Sequence, residues 1–400
     1  MKLANSIIVS LLLLAVCGAD SLRAQPPVRV GADRILEEPF VSWFHGKRVG
    51  LITNQTGLDS GRVSTIDGFR ASQEIQLVAL FGPEHGLSGA AQAGEQVESR
   101  MDVYSLYGEH RAPSPEMLRN VDVLVYDIQD VGVRFYTFIS TMFESMKAAA
   151  RHEIPFVVLD RPNPIGGDAV AGPVLEEGFQ SFVGAFSIPV RYGMTAGELA
   201  RLLREQDQIS VDLRVVPMEN WQRGDWYDRT GLLWIPPSPN MPTLETATVY
   251  PGMCWIEGTN LSEGRGTTRP FELIGAPWMD AAAIADSLNR QGLPGVFFRQ
   301  QEFTPTFSKF AGESAHGVQI HVLDRDAFDP FRTVLALLAE VRSRHADEFE
   351  FRAAAFDRLA GNSWVRQMLT SGESPDRIIE RWEPELTRFK SIRMRHLIYP

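Results

Sequence analysis

The sequence predicts an α/β protein: a parallel sheet built in the first part of the chain, followed by a second, smaller α/β domain. Three observations carry this. Short, nearly continuous apolar and β-branched runs at 48–52, 75–81, 121–127 and 156–160 read as strands buried on both faces. Helical patterning lies between them, as at 141–152, and strands alternating with helices make βαβ units around a parallel sheet. Residues 235–242 then hold four prolines, Pro236, Pro237, Pro239 and Pro242, which neither a helix nor a central strand tolerates. The division is therefore placed at 25–240 and 241–400.

At the start of the chain, Lys2 precedes an apolar run over 7–16 and a small-residue stretch ending near Ala24, the order of a secretory signal covering residues 1–24. Cleavage before Gln25 makes the protein secreted or periplasmic. Cys17 follows Leu14-Ala15-Val16 in the manner of a lipoprotein box, with Val16 where a small residue belongs. Each strand that follows ends in a polar loop: TNQTG at 53–57, GPEHG at 82–86, QDVG at 129–132 and RPNP at 161–164. Ligands of such sheets bind beyond the carboxyl ends of the strands, so these four loops are expected to converge on one rim. The second domain is read as a glycine-rich loop at 258–266, a helix at 280–291, strands at 296–300 and 318–323, and a helix at 333–345.

With 400 residues, 44% hydrophobic and 22% charged, the chain can fill two cores without staples. A net charge of −11 gives no basic stripe for nucleic acid or for an anionic membrane surface. The apolar run at 7–16 is too short for an integral membrane span. Cys254 is the one cysteine left after processing, so it has no internal disulfide partner and reads as a buried apolar filler. Oligomeric state is left open.

Several groups fit chemistry at the rim. Glu84 directly follows a buried strand, where partial desolvation favours the neutral form a general acid needs. The loop 257–268 brings together Glu257, Asn260, Ser262, Glu263 and Arg265 among three glycines. It matches neither a Walker loop nor a dinucleotide fingerprint, and its mix of donors and acceptors suits a polyol, with Glu257 or Glu263 as a second carboxylate and Arg265 as an anion clamp. Asp127, Asp130, Arg134 and Tyr136 cluster at one strand end, and Asp160, Arg161 and Asn163 repeat the arrangement one strand later. The binding candidates are thus Asn54, His85, Arg134, Tyr136, Arg161, Asn163, Asn240, Asn260, Ser262 and Arg265. His85, His316 and His321 are scattered and no HExxH occurs, so no metal site is expected. Nor is there a GxSxG elbow. Trp221, Trp226, Trp234, Trp255 and Trp278 read as core or as stacking surfaces for sugar.

Taken in order, VGLITNQTG (49–57), FGPEHG (81–86), DIQDVGVRFYT (127–137), LDRPNPIGG (159–167), PPSPNMPT (236–243) and EGTNLSEGRGT (257–267) closely resemble the bacterial exo-β-N-acetylmuramidase family. The resemblance implies a Rossmann-like N-terminal domain, a smaller α/β domain and a site in the cleft between them. It also implies hydrolysis of the β-1,4 bond of non-reducing-end N-acetylmuramic acid, with Glu84 in the place of the proposed catalytic glutamate. The expected substrate is a small muropeptide or disaccharide. Such chemistry uses two carboxylates and no cofactor; Glu84 is the acid, and Glu263, Glu257 and Asp127 remain open as the second. The lactyl carboxylate of the sugar gives a reason for Arg265 or Arg134 beside Asn260 and Ser262. Two other classes share these features, a non-catalytic periplasmic muropeptide-binding protein and a hydrolase of another wall component.

Overall fold

The computed structural model describes residues 26–88, 102–108 and 110–400; the signal segment with Cys17 lies outside the described residues. The main sheet comprises β1 (Arg48–Thr53), β2 (Gln76–Gly82), β3 (Asp102–Ser105), β4 (Val123–Asp127), β5 (Phe156–Leu159) and, beyond a β6–β7 hairpin (Ala171–Val174, Pro189–Arg191), β8 (Leu213–Val216). Its order is β3-β2-β1-β4-β5-β8, and every neighbouring pair is parallel. With the hairpin set aside this is the 3-2-1-4-5-6 order of a doubly wound sheet. The direction of winding reverses between β1 and β4, where Thr53 lies opposite Asp127.

Alternation along the strands supplies both faces of the sheet. Val49, Leu51, Val123, Val125, Val157 and Leu159 pack with Phe44 and Phe69 on one side. On the other side Ile52, Leu124, Tyr126 and Val158 join a core that continues through Trp255 and Phe331 to Trp382 and Phe389, so it spans both parts of the chain. Helices α1 (Thr65–Ala71), α2 (Phe138–Arg151) and α3 (Ala196–Gln206) cover the sheet. Ser64 and Thr195 cap α1 and α3 through their hydroxyls. Helix α2 starts three residues before the periodicity suggests, because Phe138 and Ile139 are themselves buried and the Tyr126 hydroxyl donates to the Phe138 carbonyl.

Past the proline-rich stretch, Thr243 caps α4 (Leu244–Met253). β9 (Leu273–Ala276), β10 (Val296–Phe303) and β11 (Ala315–Val322) form an antiparallel sheet ordered β10-β11-β9, flanked by α5 (Ala281–Arg290) and α6 (Pro330–Arg344). Helices α7 (Ala353–Ala360), α8 (Trp364–Ser371) and α9 (Pro375–Arg393) complete the chain. Among the described residues no helix is long and apolar enough to cross a membrane.

Candidate active site

Parallel pairing brings the four polar loops to one rim, and hydrogen bonds knit three of them together. Thr53 Oγ1 donates to the Asp127 carbonyl at 2.8 Å, Gln129 N to Thr56 Oγ1 at 2.9 Å, and Gln129 Nε2 to the Pro162 carbonyl at 2.8 Å. The side chains at the winding reversal are occupied in that work. Asp127 is fully buried and accepts from Arg161 Nε at 2.5 Å, from Arg161 Nη2 at 2.9 Å and from the Thr65 hydroxyl. Asn54 Oδ1 accepts from Thr56 N and Oγ1, and Asn163 bonds to Met194 O and Ile165 N. The cavity beside Arg161 holds about 50 Å³, too small for a sugar ring.

A roomier cleft lies beyond the carboxyl ends of β2 and β3, with a volume of about 460 Å³. The first part of the chain contributes Glu84 and His85 after β2, Tyr107 and Arg111 after β3, Tyr136 and Thr137 ahead of α2, and Phe182 and Val183 from the hairpin tip. The second part contributes Tyr250 and Cys254 from the end of α4, then Glu257, Arg265 and Leu359. Another groove, of about 650 Å³, is lined by Trp364, Trp382, Glu205 and Arg388, and it contains no residue of the six motifs.

Thr137 sits at the N-cap of α2 but makes no side-chain cap bond. Its hydroxyl instead donates to Glu84 Oε2 at 2.6 Å. Tyr107 lines the cleft near the same carboxylate, and burial together with the neighbouring Glu84 pushes its phenol pKa up. His85 holds a left-handed backbone (φ 71°), costly for a residue with a side chain, in the turn closed by Gly86 N to Pro83 O at 2.9 Å. Burial pushes its imidazole down, helped by Arg265 and opposed by Glu84. From the second part of the chain, Glu257 Oε1 accepts from Arg265 Nη2 at 2.6 Å and Nε at 3.0 Å. Burial nevertheless carries the Glu257 carboxyl above its ordinary range. Cys254 is buried as expected, its thiol pushed up by desolvation, and it lies at the cleft wall.

Other sequence candidates stand behind this surface. Glu263 is 2% exposed, 3.0 Å from Lys309 Nζ and 3.6 Å from Arg265 Nε, and does not line the cleft. Arg134 is fully buried and donates to the carbonyls of Pro173, Ile188, Leu359 and Ala360. Burial lowers its pKa to about 9. Asn260 clasps the backbone at Glu348 and Glu350, and Ser262 Oγ accepts from Gly264 N. Asn240 is half-buried and outside the cleft lining. The loop glycines serve internal packing rather than a ligand: a Cβ on Gly264 (φ 77°) would lie 2.7 Å from Leu273 O, and one on Gly266 (φ 83°) 2.6 Å from Phe307 O. Of that loop, Arg265 reaches the cleft. None of the five tryptophans lines it; its aromatic surface comes from Tyr107, Phe135, Tyr136, Phe138, Phe182 and Tyr250. Sequence reasoning missed Thr137, although it ends a motif, and missed Tyr107, Arg111 and Phe182, which lie in segments with no strand or motif signal.

Residues 49–245 match the family described as exo-β-N-acetylmuramidase NamZ, N-terminal, and residues 248–399 match its C-terminal counterpart. The peptidoglycan β-N-acetylmuramidase NamZ of Bacillus subtilis (strain 168) is 49% identical over 382 residues, which cover 94% of this chain and 92% of that protein. A crystal structure of a DUF1343 family protein from Bacteroides fragilis superimposes with a TM-score of 0.88 at 39% identity, covering 94% of this chain and 100% of that one. A second from the same organism has a TM-score of 0.77 at 31% identity, covering 94% and 99%. Matches over nearly all of the chain, at this identity, mean that it belongs to the exo-β-N-acetylmuramidase NamZ family.

Proposed function

We propose that this protein is an exo-acting glycoside hydrolase that releases β-1,4-linked N-acetylmuramic acid from the non-reducing ends of peptidoglycan fragments, and that it works outside the cytoplasm once a signal over residues 1–24 is removed. The observation that carries the reading is the position of Glu84 in the cleft lining, held by the Thr137 hydroxyl and sharing that lining with Tyr107, Glu257 and Arg265. Glycoside hydrolysis needs one carboxyl to protonate the departing oxygen and another to act on the anomeric side. Glu84 takes the first role. Of the three carboxylates the sequence leaves open for the second, Glu257 faces the cleft, whereas Glu263 and Asp127 are buried in ion pairs. Burial makes Glu257 more basic, which suits a base or nucleophile, and Arg265 opposes its neutralisation. The aromatic lining supplies faces for the sugar ring.

The test is turnover of a chromogenic β-glycoside of N-acetylmuramic acid. Wild type is expected to cleave it, and Glu84→Gln, nearly isosteric but unable to donate the proton, to lose about two to four orders of magnitude in kcat while staying folded. A folded Glu84→Gln variant with wild-type activity overturns the assignment of the acid. Binding of the sugar by wild type without any turnover would favour the muropeptide-binding protein instead.

A further inference from the structure

Two guanidinium groups line the cleft, Arg111 and Arg265. Arg265, the sequence's candidate for the lactyl carboxylate, is engaged: its Nε and Nη2 both donate to Glu257 Oε1, and its guanidinium carbon lies 5.1 Å from the centre of the Phe271 ring. The ion pairs among the described residues use Arg265 but not Arg111. Arg111 is exposed, in the loop that follows β3, with its guanidinium carbon 4.9 Å from the centre of the Phe182 ring. Phe182 is presented at the hairpin tip by paired backbone bonds between Ser181 and Gly184, each 3.0 Å. The Arg111 loop also carries Tyr107, whose phenol feels the charges of both Glu84 and Arg111, so its cation lines the cleft near the acid.

N-acetylmuramic acid differs from N-acetylglucosamine by a lactyl ether that ends in a carboxylate. A guanidinium steadied on an aromatic face and open to solvent is suited to receive such a group through parallel hydrogen bonds. We propose that Arg111 is the specificity-determining residue of the cleft, pairing with the lactyl carboxylate of the bound sugar and thereby selecting muramic acid over glucosamine. This assignment rests on the muramic-acid reading above. It moves the anion-binding role from Arg265, whose place is to hold Glu257, to the other guanidinium of the cleft lining.

Calorimetric titration with N-acetylmuramic acid and with its lactyl methyl ester tests the assignment without depending on catalysis. Wild type is expected to bind the acid more tightly than the ester, and Arg111→Gln to lose about 10- to 100-fold of that preference, the worth of a charge-assisted bond, while its affinity for the ester holds within about twofold. Arg111→Lys, which keeps the charge but not the fork, should fall between the two. Because Arg111 is exposed, neither variant removes core packing. An undiminished preference in Arg111→Gln, or equal losses for acid and ester, overturns the proposal. Turnover of the chromogenic glycoside separates the two readings. If wild type shows the acid preference and Arg111→Gln loses it, but no glycoside is cleaved, hydrolysis fails and the Arg111 assignment stands. If the glycoside is cleaved and the acid preference survives in Arg111→Gln, Arg111 fails and hydrolysis stands.

Discussion

Thr137 illustrates how one hydroxyl can be diverted from structure to chemistry. At an N-cap the side-chain oxygen ordinarily accepts from a backbone N–H of the first helical turn; in α2 it makes no such bond and donates to Glu84 Oε2. The bond fixes the carboxyl against rotation, leaving the other oxygen for the departing group of a substrate. Thr137→Val keeps the shape and removes the donor, so kcat is expected to fall about 10- to 100-fold, the equivalent of a hydrogen bond to a charged group, with little change in KM or in Tm. Thr137→Ser restores the hydroxyl and should recover most of the rate. Loss of Tm in place of kcat, or no recovery by serine, would make Thr137 a structural residue.

Arg134 belongs to the scale of elements, because its four carbonyl partners come from the β6–β7 hairpin and from the end of α7. Arg134→Met should destabilise the protein by on the order of 3–5 kcal/mol, since several buried carbonyls lose their donor together; a denaturant titration measures it, and a change in substrate preference without loss of stability would instead favour a ligand role. The same residue shows where the sequence was readable and where it was not. Apolar strands β1, β2, β4 and β5, the rim they imply and the helices over 281–290 and 330–344 follow from local periodicity, as does the position of Glu84 after a buried strand. Strand β3 is four residues of mixed polarity, DVYS, and α4 carries Pro251 in its interior, so neither has a local signal. Polar side chains at strand ends look alike whether they face a ligand or brace a loop. Arg134, Arg161, Asn163 and Asn260 were indistinguishable from Arg265 until their carbonyl and carboxylate partners, contributed by distant segments, came into view.

The two parts of the chain are tied by more than the shared core. Arg393 of α9 donates to the carbonyls of Gly167 and Gly193, and the residues after it return to the main sheet. There Ile398 N donates to Glu198 Oε1 at 2.7 Å, and the Tyr399 hydroxyl accepts from Met218 N at 2.9 Å and donates to Asp160 Oδ2 at 2.6 Å. Asp160 directly follows β5 at zero exposure, and desolvation raises its pKa from 3.8 to about 6 against the bonds from Tyr399, Gly197 and Thr195. A carboxyl whose pKa is raised by folding binds more protons in the native state. Its contribution to stability is therefore complete below about pH 4 and is lost as pH rises through about 6. Tyr399 offsets part of that loss, because its hydroxyl favours the ionised form. Tyr399→Phe is accordingly expected to carry a pH-dependent penalty: about 1 kcal/mol near pH 4, where a neutral bond and a pairing for Met218 N disappear, growing to about 2–3 kcal/mol at pH 8, where an ionised and buried Asp160 is left short of a donor. In thermal unfolding followed from pH 4 to pH 8, the gap in Tm between wild type and Tyr399→Phe should widen through pH 6, within a single transition, since the tail and the sheet unfold as one unit. A constant gap would show that Asp160 does not titrate against Tyr399, and two separate transitions would show that the C-terminal tail does not couple the halves of the molecule.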